Sequence, residues 1–320
     1  MRDDLLVEVV RGDIVESWHC GAMVLLDEAG DVRLSLGDTS ALMYPRSSLK
    51  PAQAAAMVRN GLDLEPRLLA LATASHSGGA GHVAGVEEIL AKYGRTAADL
   101  QCPESLPLGA MERDAYLREG GTPDRLHFNC SGKHAGFIGT CVVNHWTVAS
   151  YLDPQHPMQR AALAVAEELT GELVTTVTVD GCGAPLFAVS LVGLARLFRS
   201  LATAPADSPE GLIASAMRHF PEMVAGPGRD DTIAMQLMPG LISKIGAEGV
   251  IAFALPDGRA GAVKVSDGTA RGHQPVLRAV LGAWGLADDA VAQLPVAPVL
   301  GGGRSMGQTR VSARLAAALA

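Results

Sequence analysis

The chain begins and ends with short apolar runs of strand character. Three such runs lie near the N-terminus and two near the C-terminus, each bounded by turn residues. Runs that are β-branched, aliphatic or alternating in polarity are typical of strands. The predicted strands are residues 5–10, 22–26, 32–36, 249–254 and 261–266.

The region between these runs is mostly helical in character. Several of its segments end at a glycine, such as Gly61 and Gly94, which is a common stop signal for a helix. One β-branched segment, residues 174–179, interrupts the helical region. The predicted helices are residues 53–59, 82–93, 110–118, 133–144, 157–170, 186–201, 209–220 and 274–284.

Strands at both ends with helices between them predict an α/β protein of the α+β type. We expect an antiparallel sheet, built from about residues 4–37 and 249–312, to be covered by the helices of the middle region. The 320 residues contain no visible repeat, and their linkers are short. The sequence therefore predicts a single domain over residues 1–320.

Composition narrows the range of functions. The formal charge of -8 and the lack of a basic run argue against nucleic-acid binding. The N-terminus is acidic where a signal peptide is basic, and no apolar run reaches the ~20 residues needed to cross a bilayer. Five widely spaced cysteines make a poor disulfide framework. We therefore expect a cytoplasmic protein with no membrane or nucleic-acid partner.

Two serines and two lysines follow the order found in S-x-x-K serine hydrolases. Ser47 and Lys50 are three residues apart at a predicted helix start, Ser75 lies in a later turn, and Lys264 lies on a late strand. A lysine made neutral by burial or by a second cation can accept a serine proton. Taken singly, Ser47 could be an ordinary helix N-cap and Lys264 an ordinary surface lysine on a strand. The order of the parts, which penicillin-recognising hydrolases share, favours catalysis.

Two cysteines lie in polar, glycine-rich turns. Cys130 precedes a predicted helix and Cys182 stands between two glycines after a strand. Two thiolates and a third ligand would suit Zn²⁺, with His134, His127 or Asp180 as that ligand. A thiol nucleophile beside His134 and a pair of small buried cysteines are the other interpretations.

Five segments of the chain carry these residues. They are residues 45–51 (PRSSLKP), 74–78 (ASHSG), 129–136 (NCSGKHAG), 180–185 (DGCGAP) and 264–268 (KVSDG). Together they resemble the Rhizobium etli-type L-asparaginases, which form the asparaginase II family. The resemblance runs from about residue 7 to about residue 307, and its third segment is highly specific.

The resemblance implies a serine β-lactamase-like fold and the hydrolysis of L-asparagine to L-aspartate and ammonia. It implies two serine–lysine pairs, Ser47 with Lys50 and Ser75 with Lys264, and leaves open which serine attacks. Relatives also suggest a homodimer. The implied zinc ligands are Cys130, Lys133 and Cys182. The positions implied to hold substrate are Arg46, His134 and Asp180.

Two other classes of protein remain as alternatives. A penicillin-recognising serine hydrolase acting on β-lactams or peptides would use the same serine–lysine order. A non-catalytic, zinc-containing amino-acid-binding protein would keep the fold without turnover. The complete set of serines, lysines and cysteines favours the amidohydrolase.

Overall fold

The strand-like segments from the two ends of the chain pair with each other. The computed structural model describes residues 3–320, which form ten strands and thirteen helices. The strands are β1 (Asp4–Arg11), β2 (Ile14–Leu26), β3 (Val32–Leu36), β4 (Val177–Val179), β5 (Pro185–Phe187), β6 (Ile242–Gly246), β7 (Val250–Ala254), β8 (Ala260–Val265), β9 (Val299–Gly301) and β10 (Arg304–Val311).

The helices fill the middle of the chain and its C-terminal part. They are α1 (Lys50–Arg59), α2 (Pro66–Ala72), α3 (Ala80–Lys92), α4 (Ala110–Arg118), α5 (Ser131–Val143), α6 (Pro157–Thr170), α7 (Leu191–Thr203), α8 (Pro209–His219), α9 (Pro221–Val224), α10 (Asp230–Leu237), α11 (His273–Ala283), α12 (Asp288–Gln293) and α13 (Ala313–Leu319). No helix within residues 3–320 has both the length and the hydropathy that spanning a bilayer requires.

One antiparallel sheet contains eight of the strands. Its order is β6-β7-β8-β2-β1-β10-β9, and β3 also pairs with β2. The N-terminal hairpin therefore lies between C-terminal strands, since β2 pairs with β8 while β1 pairs with β10. The short strands β4 and β5 form a separate hairpin.

The sheet separates two hydrophobic cores. Side chains alternate between the two faces along a strand, and in β2 Ala22, Val24 and Leu26 pack into the core shared with helices α1 to α3 and α5 to α9. Met23 and Leu25 face the other way, into the core formed with α10 to α13. Because both faces of the central strands are buried, these strands appear in the sequence as continuous apolar runs.

The predicted fold class, a mixed α/β chain with an antiparallel sheet flanked by helices, is confirmed. The predicted helix over residues 186–201 is wrong at its start, where β5 precedes α7. Strand β6 and helix α2 were not predicted, because short apolar segments beside prolines carry little periodicity. Strand β6 proves important for the candidate site.

Candidate functional site

A tight turn before α1 presents the first serine. Arg46 has a φ of +52°, a left-handed conformation that non-glycine residues rarely adopt and that concentrates at functional sites. The next residue, Ser47, is half-buried, and its hydroxyl takes part in none of the side-chain hydrogen bonds among residues 3–320. Ser48 is fully buried and donates to the Pro45 carbonyl at 2.6 Å. Ser47 is therefore the hydroxyl left free to react.

Lys50, at the first position of α1, carries a buried amine beside the second serine. Its side chain is 1% exposed, and Nζ donates to the Ala74 carbonyl at 2.5 Å and to Ser75 Oγ at 2.9 Å. Lysine is almost never fully buried unless it is paired. Ser75 is held in turn by its backbone N–H, which donates to the Val224 carbonyl. Lys50 thus joins the first two sequence segments directly.

The two predicted thiols meet in a second buried cluster. Cys130 precedes α5, and Lys133 in the first turn of α5 donates from Nζ to Cys182 Sγ at 3.1 Å. The Cys130 thiol, and then Lys133 and His134, hold the pKa of Cys182 well below its usual range against the effect of burial. The Cys182 thiolate conversely raises the pKa of Cys130. This cluster is a buried thiolate with a thiol and an ammonium as donors.

His134 completes the buried cluster. Its Nδ1 lies 2.7 Å from the Tyr151 hydroxyl, while Nε2 is buried with no hydrogen-bond partner among residues 3–320. Burial lowers the pKa of His134, although the Cys182 thiolate opposes that lowering. Its ring is therefore neutral near pH 7.

Arg46 and Asp180 lie at the more exposed edge of the cluster. Arg46 Nε donates to Asp180 Oδ1 at 2.7 Å, and Arg46 Nη1 lies 3.9 Å from a carboxylate oxygen of Glu248. Asp180 Oδ2 is also 3.9 Å from Cys182 Sγ. The predicted substrate-holding residues thus adjoin the thiol cluster.

The structure does not show the predicted pair of Ser75 with Lys264. The Lys264 amine donates to the backbone carbonyls of Glu248, at 2.5 Å, and Val265, at 3.0 Å. Within the described part of the chain, no hydrogen bond joins it to Ser47 or Ser75, and Ser75 instead accepts from Lys50. The cause is register, because Lys264 pairs with Val250 at the end of β8, beside the turn that contains Glu248.

Lys244 on strand β6 was missed by sequence reasoning. It is 1% exposed, and Nζ donates to the Ile245 carbonyl at 2.9 Å and to Asp231 Oδ2 at 3.4 Å. Burial lowers the pKa of Lys244 to about 8, Asp231 opposes that lowering, and the charges of Lys50 and Arg229 add to it. Lys244 therefore lies within electrostatic reach of Lys50.

Strand β6 ends directly against the turn that carries the first serine. A Cβ on Gly246 would lie 2.3 Å from the Pro45 carbonyl oxygen, so only glycine fits there without a shift. The sequence did contain a signal for this strand, since Lys244-Ile245-Gly246 shares the lysine and the glycine of the K-T-G pattern of penicillin-recognising hydrolases, with Ile245 in place of the threonine. Lys264, followed by Val265 and Ser266, lacks that glycine.

The predicted zinc ligands are in contact with each other. Residues 3–320 contain no group of three His, Cys, Asp or Glu side chains that could hold a metal ion. Cys130 and Cys182 supply two sulfurs, and the Lys133 amine at 3.1 Å from Cys182 supplies a nitrogen. Without metal the Lys133 amine is the ammonium described above, and it would have to release its proton when zinc binds, as protonated ligands do. Two sulfurs and that nitrogen then suit Zn²⁺, so this donor set fits zinc with one position left for another ligand.

Comparison with known proteins gives one family match. The family described as L-asparaginase II matches residues 7–311. No curated protein matches the chain. Similar solved structures include a beta-lactamase from Mycobacterium bovis, at 17% identity over 83% of this chain and 95% of that chain with a TM-score of 0.48.

Two further structures are similar over comparable lengths. Mglu in its native form is 14% identical over 83% of this chain and 61% of that chain, with a TM-score of 0.46. EstCE1, a hydrolase with promiscuous acyltransferase activity, is 13% identical over 79% of this chain and 91% of that chain, with a TM-score of 0.39.

Proposed function

The chain belongs to the L-asparaginase II family, and we propose that it hydrolyses L-asparagine to L-aspartate and ammonia through a serine–lysine mechanism. The main support for this mechanism is the buried amine of Lys50, which is bonded to Ser75 and lies at the helix start that presents Ser47. A second buried amine, that of Lys244, lies near enough for the charge of Lys50 to lower its pKa.

In the first step, Ser47 Oγ attacks the side-chain amide carbon of asparagine. Its proton passes to the neutral amine of Lys50, and the carbonyl oxygen becomes an oxyanion. Two buried amines that repel each other favour the neutral form of one of them. We assign the role of base to Lys50 because it follows Ser47 by three residues at the start of α1, and the role of protonated partner to Lys244, whose pKa of about 8 keeps it mostly protonated near pH 7.

In the second step, the carbon–nitrogen bond breaks and the nitrogen leaves as ammonia. It needs a proton, and we assign the donor role to Lys244, with the Lys50–Ser75 hydrogen bond as the relay. Lys244 thereby takes the role that the resemblance gave to Lys264. Water then attacks the aspartyl ester on Ser47 and gives one proton to the neutral Lys244 amine. The ester bond breaks as Ser47 Oγ takes back the proton held by Lys50, which releases aspartate and restores the serine and both lysines.

The substrate's amino and carboxylate groups need partners of opposite charge. We propose that the Arg46 guanidinium faces the carboxylate and that Asp180 faces the amino group, with the neutral His134 ring beside them. The left-handed backbone of Arg46 supports this, because strained conformations persist where a site depends on them. Both charged residues are half-buried at the open side of the cluster.

We also propose that zinc is held by Cys130, Lys133 and Cys182. When bound, the ion would fix the turn that carries Asp180 relative to α5 and would polarise groups placed near it. Metal analysis of purified protein tests this proposal directly. One zinc per chain, lost in Cys130→Ala, supports it, and wild-type protein without metal after purification in zinc-containing buffer contradicts it.

Ammonia release from L-asparagine and L-glutamine tests the proposed function. The wild type should release ammonia from asparagine, and Ser47→Ala should lose at least about 1,000-fold in kcat because the nucleophile is absent. Ser48→Ala is the matched control, since among residues 3–320 that hydroxyl makes its one side-chain hydrogen bond to the Pro45 carbonyl, and it should retain turnover within a few-fold.

Other outcomes of the same assay identify the alternatives. Nitrocefin turnover without ammonia release would indicate a penicillin-recognising hydrolase. Tight asparagine binding with no product would indicate a binding protein. Normal turnover by Ser47→Ala would remove Ser47 from the role of nucleophile.

A further inference from the structure

A buried carboxylate makes its side-chain hydrogen bonds, as far as residues 3–320 show, with the strand that carries Lys244. Asp231 lies in the first turn of α10 and is 2% exposed. Its Oδ1 accepts from the Ser243 hydroxyl at 2.9 Å, both of its oxygens accept from the Ile245 backbone N–H at 3.0 Å, and Oδ2 accepts from Lys244 Nζ at 3.4 Å. One side chain thus binds three consecutive residues of β6.

We propose that Asp231 is a positioning residue for catalysis, which holds the Lys244 amine and strand β6 in place against the Lys50–Ser75 pair. This inference rests on the proposed function, in which Lys244 donates a proton to the leaving nitrogen. Asp231 itself touches no reacting atom and acts through Lys244.

Asp231 needs fixed partners because its carboxylate is buried. A carboxylate removed from water is costly unless hydrogen bonds and an opposite charge satisfy it. Those partners come from β6, so Asp231 and the strand fix each other. The Lys244 amine is held between Asp231 Oδ2 and the Ile245 carbonyl at 2.9 Å. A side chain with four rotatable bonds is thereby restricted to one position.

Among the charges around Lys244, that of Asp231 is the one that keeps the Lys244 amine protonated. The charged groups near its amine are Lys50 from α1, Arg229 just before α10, and Asp231 from α10 itself. Burial and the two cations favour the neutral amine, and Asp231 is the acid in this set that favours the ammonium. Without Asp231, the proton that the leaving group needs would be lost at a lower pH.

NMR of labelled lysine measures the titration of the Lys244 amine without any assay of activity. The chain has five lysines, at positions 50, 92, 133, 244 and 264, so ¹³Cε-labelled lysine gives five signals. The signal of Lys244 is assigned by its loss in K244M. We expect its titration midpoint to fall by more than about one pH unit in D231N, since a neighbouring opposite charge shifts a pKa by about 1–3 units.

S243A is the matched control variant. It removes one hydrogen bond to Asp231 but keeps the carboxylate, so the Lys244 midpoint should stay where it is in the wild type. An unchanged midpoint in D231N, or the same shift in both variants, overturns the proposal.

The pH profile of turnover is the second readout. In D231N the alkaline limb of kcat should move to lower pH and kcat at pH 8 should fall about 10- to 100-fold, while KM for asparagine changes less than about 2-fold. D231E, which keeps the charge, should move the limb back. If kcat of D231N falls by the same factor at every pH, and its alkaline limb stays where it is in the wild type, Asp231 has a purely structural role and the proposal is overturned.

A double variant covers the case in which D231N does not fold. D231N/K244M removes both charges, so neither is left buried and unpaired. If Asp231 acts through Lys244, the double variant should fold even when D231N does not, and its kcat should equal that of K244M. A double variant that is unfolded, or further impaired, contradicts the proposal. A wild type that releases no ammonia defeats the proposed function alone, since the NMR titration still decides whether Asp231 controls Lys244.

Discussion

Three lysines are buried in one region of this molecule, and each has a different partner. Lys50, Lys133 and Lys244 are each 2% exposed or less. Their amines contact a serine hydroxyl, a thiolate and a carboxylate respectively. Arginine could not replace them, because its guanidinium stays charged whereas a buried lysine can lose its proton. Among the three, Lys244 is suited to proton transfer, because burial lowers its pKa to about 8.

The two candidate strand lysines can be distinguished by mutation. K244M should lower kcat on asparagine by about 100- to 10,000-fold, which is the usual effect of removing a proton-transfer group. K264M is the matched change, because that amine bonds to two backbone carbonyls at the end of β8, and it should stay within about 3-fold of the wild type. The reverse ranking in an ammonia-release assay would restore Lys264 to the role that the resemblance implied.

The pKa of Lys244 also predicts the pH dependence of turnover. Burial lowers that pKa to about 8, and the proposed donor must be protonated. Turnover should therefore be retained below pH 8 and should fall as the pH rises through Lys244's titration. A kcat profile measured up to pH 10, on protein shown to remain folded, checks this. A kcat that keeps rising above pH 9 would mean that Lys244 does not act as the donor.

At the scale of elements, the contact of β6 with the serine turn brings the late strand into the site. Gly246→Ala would place a methyl 2.3 Å from the Pro45 carbonyl oxygen. The backbone must then shift, at a cost of about 1–3 kcal/mol in unfolding free energy, and kcat should fall more than KM rises.

Gly81→Ala in α3 is the control for this change. A Cβ there meets no atom within 4 Å, and alanine favours a helix more than glycine does. Its thermal midpoint and turnover should equal or slightly exceed those of the wild type. Equal effects of the two substitutions would show that the Gly246 contact does not matter.

The sequence predicted those parts of the site that depend on local structure. Ser47 and Lys50 share one turn, and Cys130 and Lys133 share another, so their spacing was informative. Lys244 was missed because β6 is a five-residue strand with no clear alternation. The bond between Lys50 and Ser75 joins residues 25 apart, and no local pattern reports such a contact.

At the scale of the whole molecule, one sheet built from both ends of the chain lies between two cores. Trp146 packs against the core on the helical side and Trp284 against the other. The sequence predicts a single domain, so both tryptophans should report the same urea midpoint. Each can be followed alone, since the chain has three tryptophans and the third, Trp18, is 62% exposed.

Two variants make this test practical. W18F/W284F retains Trp146, and W18F/W146F retains Trp284. Coincident fluorescence transitions, matched by circular dichroism of each variant, would support one cooperative unit. Separate midpoints would divide the chain into two domains along the sheet.

The proposed chemistry requires a covalent intermediate on one serine. Rapid acid quenching of the enzyme during asparagine turnover, followed by intact-mass analysis and peptide mapping, should find an aspartyl ester on the peptide that contains Ser47, and S47A should show none. An ester on Ser75 instead, or steady ammonia release by S47A with no adduct in either protein, would contradict the account.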